Sequence, residues 1–293
     1  MIEIKNLSKS YGEKQVLDNL SIKIDDGKIF GLVGINGAGK STLLRIMSGI
    51  YKANEGSVLF DGEEVFENEN IKKDIFFLPD EPYYGLNTTP TSLVDIYKVF
   101  YNFDEKEYFD YLDEFKLPKN KKMNTFSKGM KRQVFVSLAL AIKPKYLLLD
   151  EAFDGLDPLA RLTFKRAIID LVDEKETTII ISSHSLRELE DICDCYGLID
   201  KMEIASSGEI ADTINQTHKY QVAFNDIPNR DMFEGLTVLT YEQESRIVRI
   251  VVKEDYEEFK EIINKYNPLL IDEIPINFEE LFIIEVESRG YLE

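Results

Sequence analysis

The stretch Ile29-Phe-Gly-Leu-Val-Gly34-Ile35-Asn36-Gly37-Ala38-Gly39-Lys40-Ser41-Thr42 decides the fold. Its opening residues are nearly all apolar, as a strand buried on both faces requires. From Gly34 to Ser41 it fits G-x-x-x-x-G-K-[ST], and a helix pattern runs on to Met47 and stops at Gly49. Strand, glycine loop and helix in that order are the context that gives the pattern meaning. Glycines let the backbone curl until successive N–H groups face one anion, and the helix N-terminus adds partial positive charge. Lys40 then reaches the terminal phosphates of a nucleotide, and the Ser41 hydroxyl can ligate Mg²⁺.

A second stretch, Tyr146-Leu-Leu-Leu-Asp150-Glu151, answers the first. Four apolar residues bury a strand and push two carboxylates to its C-terminal edge, where open α/β sheets hold their ligands. Asp150 there can hold the Mg²⁺ of the nucleotide, and Glu151 can face a water attacking the γ-phosphate.

Outward from these stretches, Ile2 and Ile4, then Ile22 and Ile24, alternate with polar residues, and Asp25-Asp26-Gly27 marks a turn. Gly56–Gly62 reads as a short hairpin arm. Residues 88–143 change to helical period: Val94, Tyr97 and Tyr101 share a face, Asp104 and Glu107 have capping-box spacing, and Ser127 opens a helix that closes before Pro144. A helix over 158–174, a buried strand over 177–182 and a short helix over 185–194 follow. From about 210 the pattern shifts again. Strands are predicted at 220–224 and 247–252, and helix starts at Asp255 with Glu258 and at Asn277 with Glu280. The expected organisation is a nucleotide-binding domain over 1–210, with its helical insert at 88–143, and a small α+β appendage over 211–293.

The chain has 293 residues and a formal net charge of −19, which argues against a nucleic-acid binder needing a basic face. Its longest uncharged run, Pro82–Val94, is too short for a membrane helix, and the opening MIEIKNLSKSYGEK is charged from position 3, unlike a signal peptide. Cys193 and Cys195 stand alone as C-x-C and are expected as small buried hydrophobes in a reducing compartment. His218 has no motif around it and is expected at the surface.

At Phe126-Ser127-Lys128-Gly129-Met130-Lys131-Arg132-Gln133 the chain resembles the signature motif of the ATP-binding subunits of ABC transporters, with the resemblance covering residues 1 to about 210. That family usually carries Gly at Lys128 and Gln at Met130; the Ser-x-Gly core survives. Asp154-Gly-Leu-Asp157-Pro158 resembles its D-loop, and Ser183-His184 its switch histidine. Tyr11 falls where the family stacks an aromatic ring on adenine. Leu78-Pro79-Asp80-Glu81-Pro82 falls where a Gln-bearing loop joins sheet and insert; Asp80 in place of that Gln is expected as a Mg²⁺ ligand.

The resemblance implies an α/β P-loop NTPase cassette with a mixed sheet core, a helical insert and a C-terminal α+β appendage. It implies ATP and Mg²⁺ as cofactors, with Glu151, His184 and Lys40 in catalysis. Ser127, Gly129, Met130 and Asp157 would contact ATP held by a second cassette, a copy of this chain or a close paralogue. It implies a permease on a separate chain and a place on the cytoplasmic face of the membrane. The Ser-Lys-Gly-Met signature and Asn277-Phe-Glu-Glu-Leu-Phe282 resemble exporters. A soluble, non-transport ATPase of the same family and a regulatory nucleotide-binding module are the alternatives.

Overall fold

The computed structural model describes residues 1–288. The chain divides into two units, Met1–Ser207 and the residues from Gly208 onward.

In chain order the first unit holds β1 (Ile2–Tyr11), β2 (Lys14–Ile24), β3 (Ile29–Val33), α1 (Lys40–Met47), β4 (Glu55–Phe60), β5 (Glu63–Glu64), α2 (Glu69–Lys72) and β6 (Ile75–Leu78). The insert supplies α3 (Pro90–Tyr97), α4 (Glu105–Glu114) and α5 (Lys128–Ile142). Then come β7 (Tyr146–Asp150), α6 (Pro158–Lys175), β8 (Thr178–Ser182), α7 (Leu186–Glu190), β9 (Cys195–Asp200) and β10 (Glu203–Glu209), which runs into the second unit. Two sheets result, a four-stranded one ordered β2-β1-β4-β5 and a six-stranded one ordered β10-β9-β3-β8-β7-β6. The first is antiparallel, and β9, β3, β8, β7 and β6 are parallel neighbours.

The parallel order explains the sequence. β3, β7 and β8 are buried at every residue, so they read as continuous apolar runs. Leu17 of β2, Leu32 of β3, Leu43 of α1, Leu148 of β7 and Ile180 of β8 join in one core, which sets α1 between the two sheets. The register Leu149↔Ile181 and Leu32↔Ser182 brings the C-terminal ends of β7, β8 and β3 to one edge.

Within the insert, Thr89 and Ser92 form a reciprocal capping box at α3. Asp104 caps α4 by accepting from Lys106 N–H at 2.8 Å, while Glu107 pairs with Lys143 at 2.7 Å instead of closing a box. The α5 helix is buried without a break from Arg132 to Ile142, the mark of a helix enclosed on all sides. Tyr101 lies beyond the end of α3, and its hydroxyl donates to the Ile75 carbonyl at 2.9 Å.

The second unit holds α8 (Ile210–Asn215), β11 (His218–Ala223), β12 (Val238–Glu244), β13 (Ile247–Val252), α9 (Tyr256–Ile263), β14 (Leu270–Ile274) and α10 (Phe278–Ser288). Its sheet runs β12-β13-β11-β14, with antiparallel neighbours throughout. Tyr220, Val222, Val248, Ile250 and Phe259 make a core of its own. Asp255 caps α9, and Asn277 accepts from Glu280 N–H at 2.8 Å. Two expectations change in detail. His218 is half-buried, with Nδ1 2.8 Å from Glu273 Oε1, because its neighbouring strand supplies a carboxylate. Cys193 is buried and its thiol pKa is pushed up by burial, whereas Cys195 is only half-buried.

Candidate active site

The phosphate loop leaves β3 and enters α1. Gly39, the residue before α1, is left-handed at φ +108°, and a Cβ there would come 2.7 Å from Leu17 Cδ2. No side chain caps this helix and no acidic residue sits in its first turn, so its N–H groups stay open to an anion. Lys40 is buried, with Nζ donating to the Gly34 carbonyl at 2.6 Å and the Ile35 carbonyl at 3.4 Å. Burial lowers its pKa, while the charges of Glu151 and Asp150 pull the other way. Ile35, Asn36 and Gly37 are exposed, Ala38 is half-buried, and Thr42 is buried behind the loop.

Asp150 and Glu151 point to different tasks. Asp150 is fully buried, and its Oδ1 accepts from Ser41 Oγ at 3.0 Å and from Ser182 Oγ at 2.8 Å. Its Oδ2 is buried without a hydrogen-bond partner. A carboxylate oxygen left bare in a dry site beside a serine hydroxyl suits a hard cation or its water shell. Ser41 and Asp150 are the residues that would hold Mg²⁺.

Glu151 turns away because its backbone is left-handed, at φ +49°. Its N–H is held by Ser182, 3.1 Å from both the hydroxyl and the carbonyl oxygen. Its Oε2 meets His184 twice, at the backbone N–H (3.2 Å) and at Nδ1 (3.0 Å). Asp154 Oδ1 lies 3.7 Å from the same Nδ1. The hydrogen bond to Glu151, with the charge of Asp154, raises the His184 pKa, against a smaller lowering by burial.

Ser127 caps α5 by accepting from Met130 N–H at 3.2 Å. Two residues on, Gly129 packs against the Asp154–Asp157 turn so closely that a Cβ would come 2.3 Å from the Gly155 carbonyl oxygen. Asp157 uses both oxygens within the chain. Oδ1 accepts from Leu159 and Ala160 N–H at 3.0 Å, and Oδ2 from Gln133 Nε2 at 3.3 Å. Tyr11 is exposed and stands edge-on to Tyr51, with ring centroids 6.1 Å apart. Asp80, expected on Mg²⁺, is engaged elsewhere: its Oδ1 accepts from Arg132 Nη2 at 2.7 Å and lies 3.5 Å from Lys128 Nζ. The cause is Arg132, whose buried guanidinium needs a counter-charge.

Sequence reading missed Ser182, Asp154 and Arg132. Ser182 ends the strand before the recognised His184, and Asp154 and Arg132 stand inside recognised motifs, so position in those motifs was the available signal.

A family model described as "ABC transporter" matches residues 17–154. The ABC transporter ATP-binding protein YtrB of Bacillus subtilis (strain 168) is 33% identical over 291 residues, 99% of each chain. The chain belongs to the ATP-binding proteins of ABC transporters. The lantibiotic transport ATP-binding protein SrtF of Streptococcus pyogenes is 32% identical over 76% of this chain and 98% of its own. The methionine import ATP-binding protein MetN of Clostridium tetani is 30% identical over 72% of this chain and 70% of its own. Among solved structures, an ATP-binding subunit of an ABC transporter superposes with a TM-score of 0.67 at 27% identity, covering 74% of this chain and 92% of that one. The fold is that of an ABC cassette, and its family binds ATP and hydrolyses it to drive transport.

Proposed function

We propose that this chain is the ATPase subunit of an exporter, working as one of two cassettes beneath a separate permease. The observation that carries hydrolysis is the division of labour between neighbours: Asp150 buried on Ser41, and Glu151 swung out to His184. When bound, Mg²⁺ would offset the charge of the phosphates. Lys40 and the open N–H groups of α1 bind and orient those phosphates. Glu151 takes the proton of the attacking water, and His184 holds the Glu151 carboxylate and reports on the γ-phosphate.

Ser127, Gly129 and Met130 present a capped helix N-terminus, which suits the γ-phosphate of ATP held by a second cassette. Asp157 serves that contact by anchoring the turn on which Gly129 rests. Tyr11, exposed at the end of β1, stacks on the base.

Beside the insert lies a cavity of about 820 Å³ lined by Leu93, Ile96, Tyr97 and Phe100 of the insert and by Tyr83. Tyr83, Val99 and Phe100 are exposed, and Lys72, Lys73 and Glu69 stand at the same cavity. A cytoplasmic segment of the permease fits this apolar, charge-rimmed groove. No helix among the described residues is long and apolar enough to cross a membrane, so this docking is what would place the chain on the cytoplasmic face. Export is the reading carried by the Ser-Lys-Gly-Met signature and the Asn277–Phe282 stretch, which resemble exporters.

Turnover of Mg-ATP by the purified chain tests the enzymatic reading. Glu151→Gln is expected to keep ATP affinity and to lose at least ~10²-fold in kcat, the scale of a positioned general base. Wild-type turnover in that variant would remove Glu151 from the chemistry.

A further inference from the structure

Arg132 lies on α5 two turns or less from Ser127, and its side chain is only 2% exposed. Its donors converge on one place. Nη1 donates to the Pro79 carbonyl at 2.9 Å, and Nη2 donates to the carbonyl and to the carboxylate of Asp80, each at 2.7 Å. Lys128, at the start of the same helix, brings a second cation to that carboxylate at 3.5 Å. Pro79 and Asp80 directly follow β6, and β6 pairs with β7, which ends in Asp150. The bridge therefore runs from the strand beside Asp150 to the helix that presents Ser127 and Gly129.

We propose that Arg132 is a positioning residue that latches the loop after β6 to the signature helix, so that loop and helix move as one body. The inference rests on the reading of Ser127 as a contact to ATP across a cassette dimer. Asp80 is the half of the latch that a carboxylate serves better than an amide. A guanidinium fork to an anion makes charge-assisted bonds, whereas a glutamine offers a neutral acceptor on a longer stem. The carboxylate is thus spent within the chain, and its loss should disturb the signature helix and leave the metal untouched.

The test compares the full-length wild type with Asp80→Asn, Arg132→Gln, Arg132→Lys and the Asp80→Asn/Arg132→Gln double variant. Turnover is measured against ATP and against free Mg²⁺. Asp80→Asn is expected to lower kcat about tenfold, the scale of one charge-assisted hydrogen bond, with KM for ATP and half-saturation by Mg²⁺ within about twofold. Arg132→Lys should recover part of what Arg132→Gln loses, and the double variant should be no slower than Arg132→Gln alone. Asp80 is 41% exposed, so Asp80→Asn decides the matter even where Arg132→Gln fails to fold. An Asp80→Asn protein whose Mg²⁺ half-saturation rises about tenfold would make Asp80 a metal ligand and overturn the latch. So would wild-type kcat in Asp80→Asn. A wild-type chain without turnover would instead overturn the functional reading beneath it, and the latch with it.

Discussion

Glu151 adopts a left-handed backbone that costs a non-glycine residue about 1–2 kcal/mol, and the two Ser182 contacts to its N–H offset that cost. The gain is a carboxylate aimed at His184 while its neighbour Asp150 stays buried. This arrangement fixes the sign of a pH effect. The His184 pKa is raised, so the pair contributes stability fully below the ordinary histidine value near 6.5 and loses it as pH rises through the higher folded-state value. Glu151→Gln should bring the His184 pKa down. With only two histidines in the chain, imidazole NMR titration resolves it against His218, and an unchanged pKa would contradict the Glu151 contact. Lys40, Ser41, Asp150 and Glu151 are proposed from the sequence because phosphate and metal chemistry demands those residue types in contiguous runs, and the fold sets Ser41 Oγ 3.0 Å from Asp150 Oδ1. The partner of Asp80 was not legible. Arg132 lies 52 positions away, and only the packing of α5 against the end of β6 brings the two together.

Gly129 shows how one element constrains another. The turn after β7 lies on the first turn of α5 with no room for a methyl group, since a Cβ would come 2.3 Å from a backbone oxygen that cannot rotate away. Gly129→Ala is therefore expected to cost about 1–3 kcal/mol, as overpacking does, and to lower turnover by displacing Ser127 or the Asp154–Asp157 turn. Urea denaturation and steady-state kinetics read the two effects, and an alanine variant as stable and active as wild type would refute the close contact. The buried strands β3, β7 and β8 announced themselves as apolar runs. β12 and β14 did not, because each is largely open to solvent and neither shows an unbroken apolar alternation. Thr89 and Ser92 were passed over for the same kind of reason: serine at the third helical position reaches back to the cap as glutamate does, and the familiar spacing looks only for the acid.

At the scale of the whole molecule, the residues proposed to face the nucleotide all fall within Met1–Ser207, and the second unit has its own sheet and core. A chain ending after Glu209, which keeps β10 whole, should fold and bind ATP within a few-fold of the full-length protein, since the phosphate loop, Asp150 and Glu151 all lie in the first unit and the second unit has a core cluster of its own. Circular dichroism with nucleotide titration checks this, and a folded truncation without ATP affinity would contradict it. The structure divides after Ser207, and the sequence pattern changes from about residue 210. Function at this scale depends on a second cassette, because the phosphate loop and the Ser127 helix end are expected to meet on one ATP only between two chains. Size-exclusion chromatography of Glu151→Gln with and without Mg-ATP measures that most directly. Unhydrolysed ATP held between Lys40 of one chain and Ser127 of the other should shift the variant to a dimer, while Lys40→Ala stays monomeric under both conditions. A Glu151→Gln chain that binds ATP and remains monomeric would contradict a site shared between two copies of this protein.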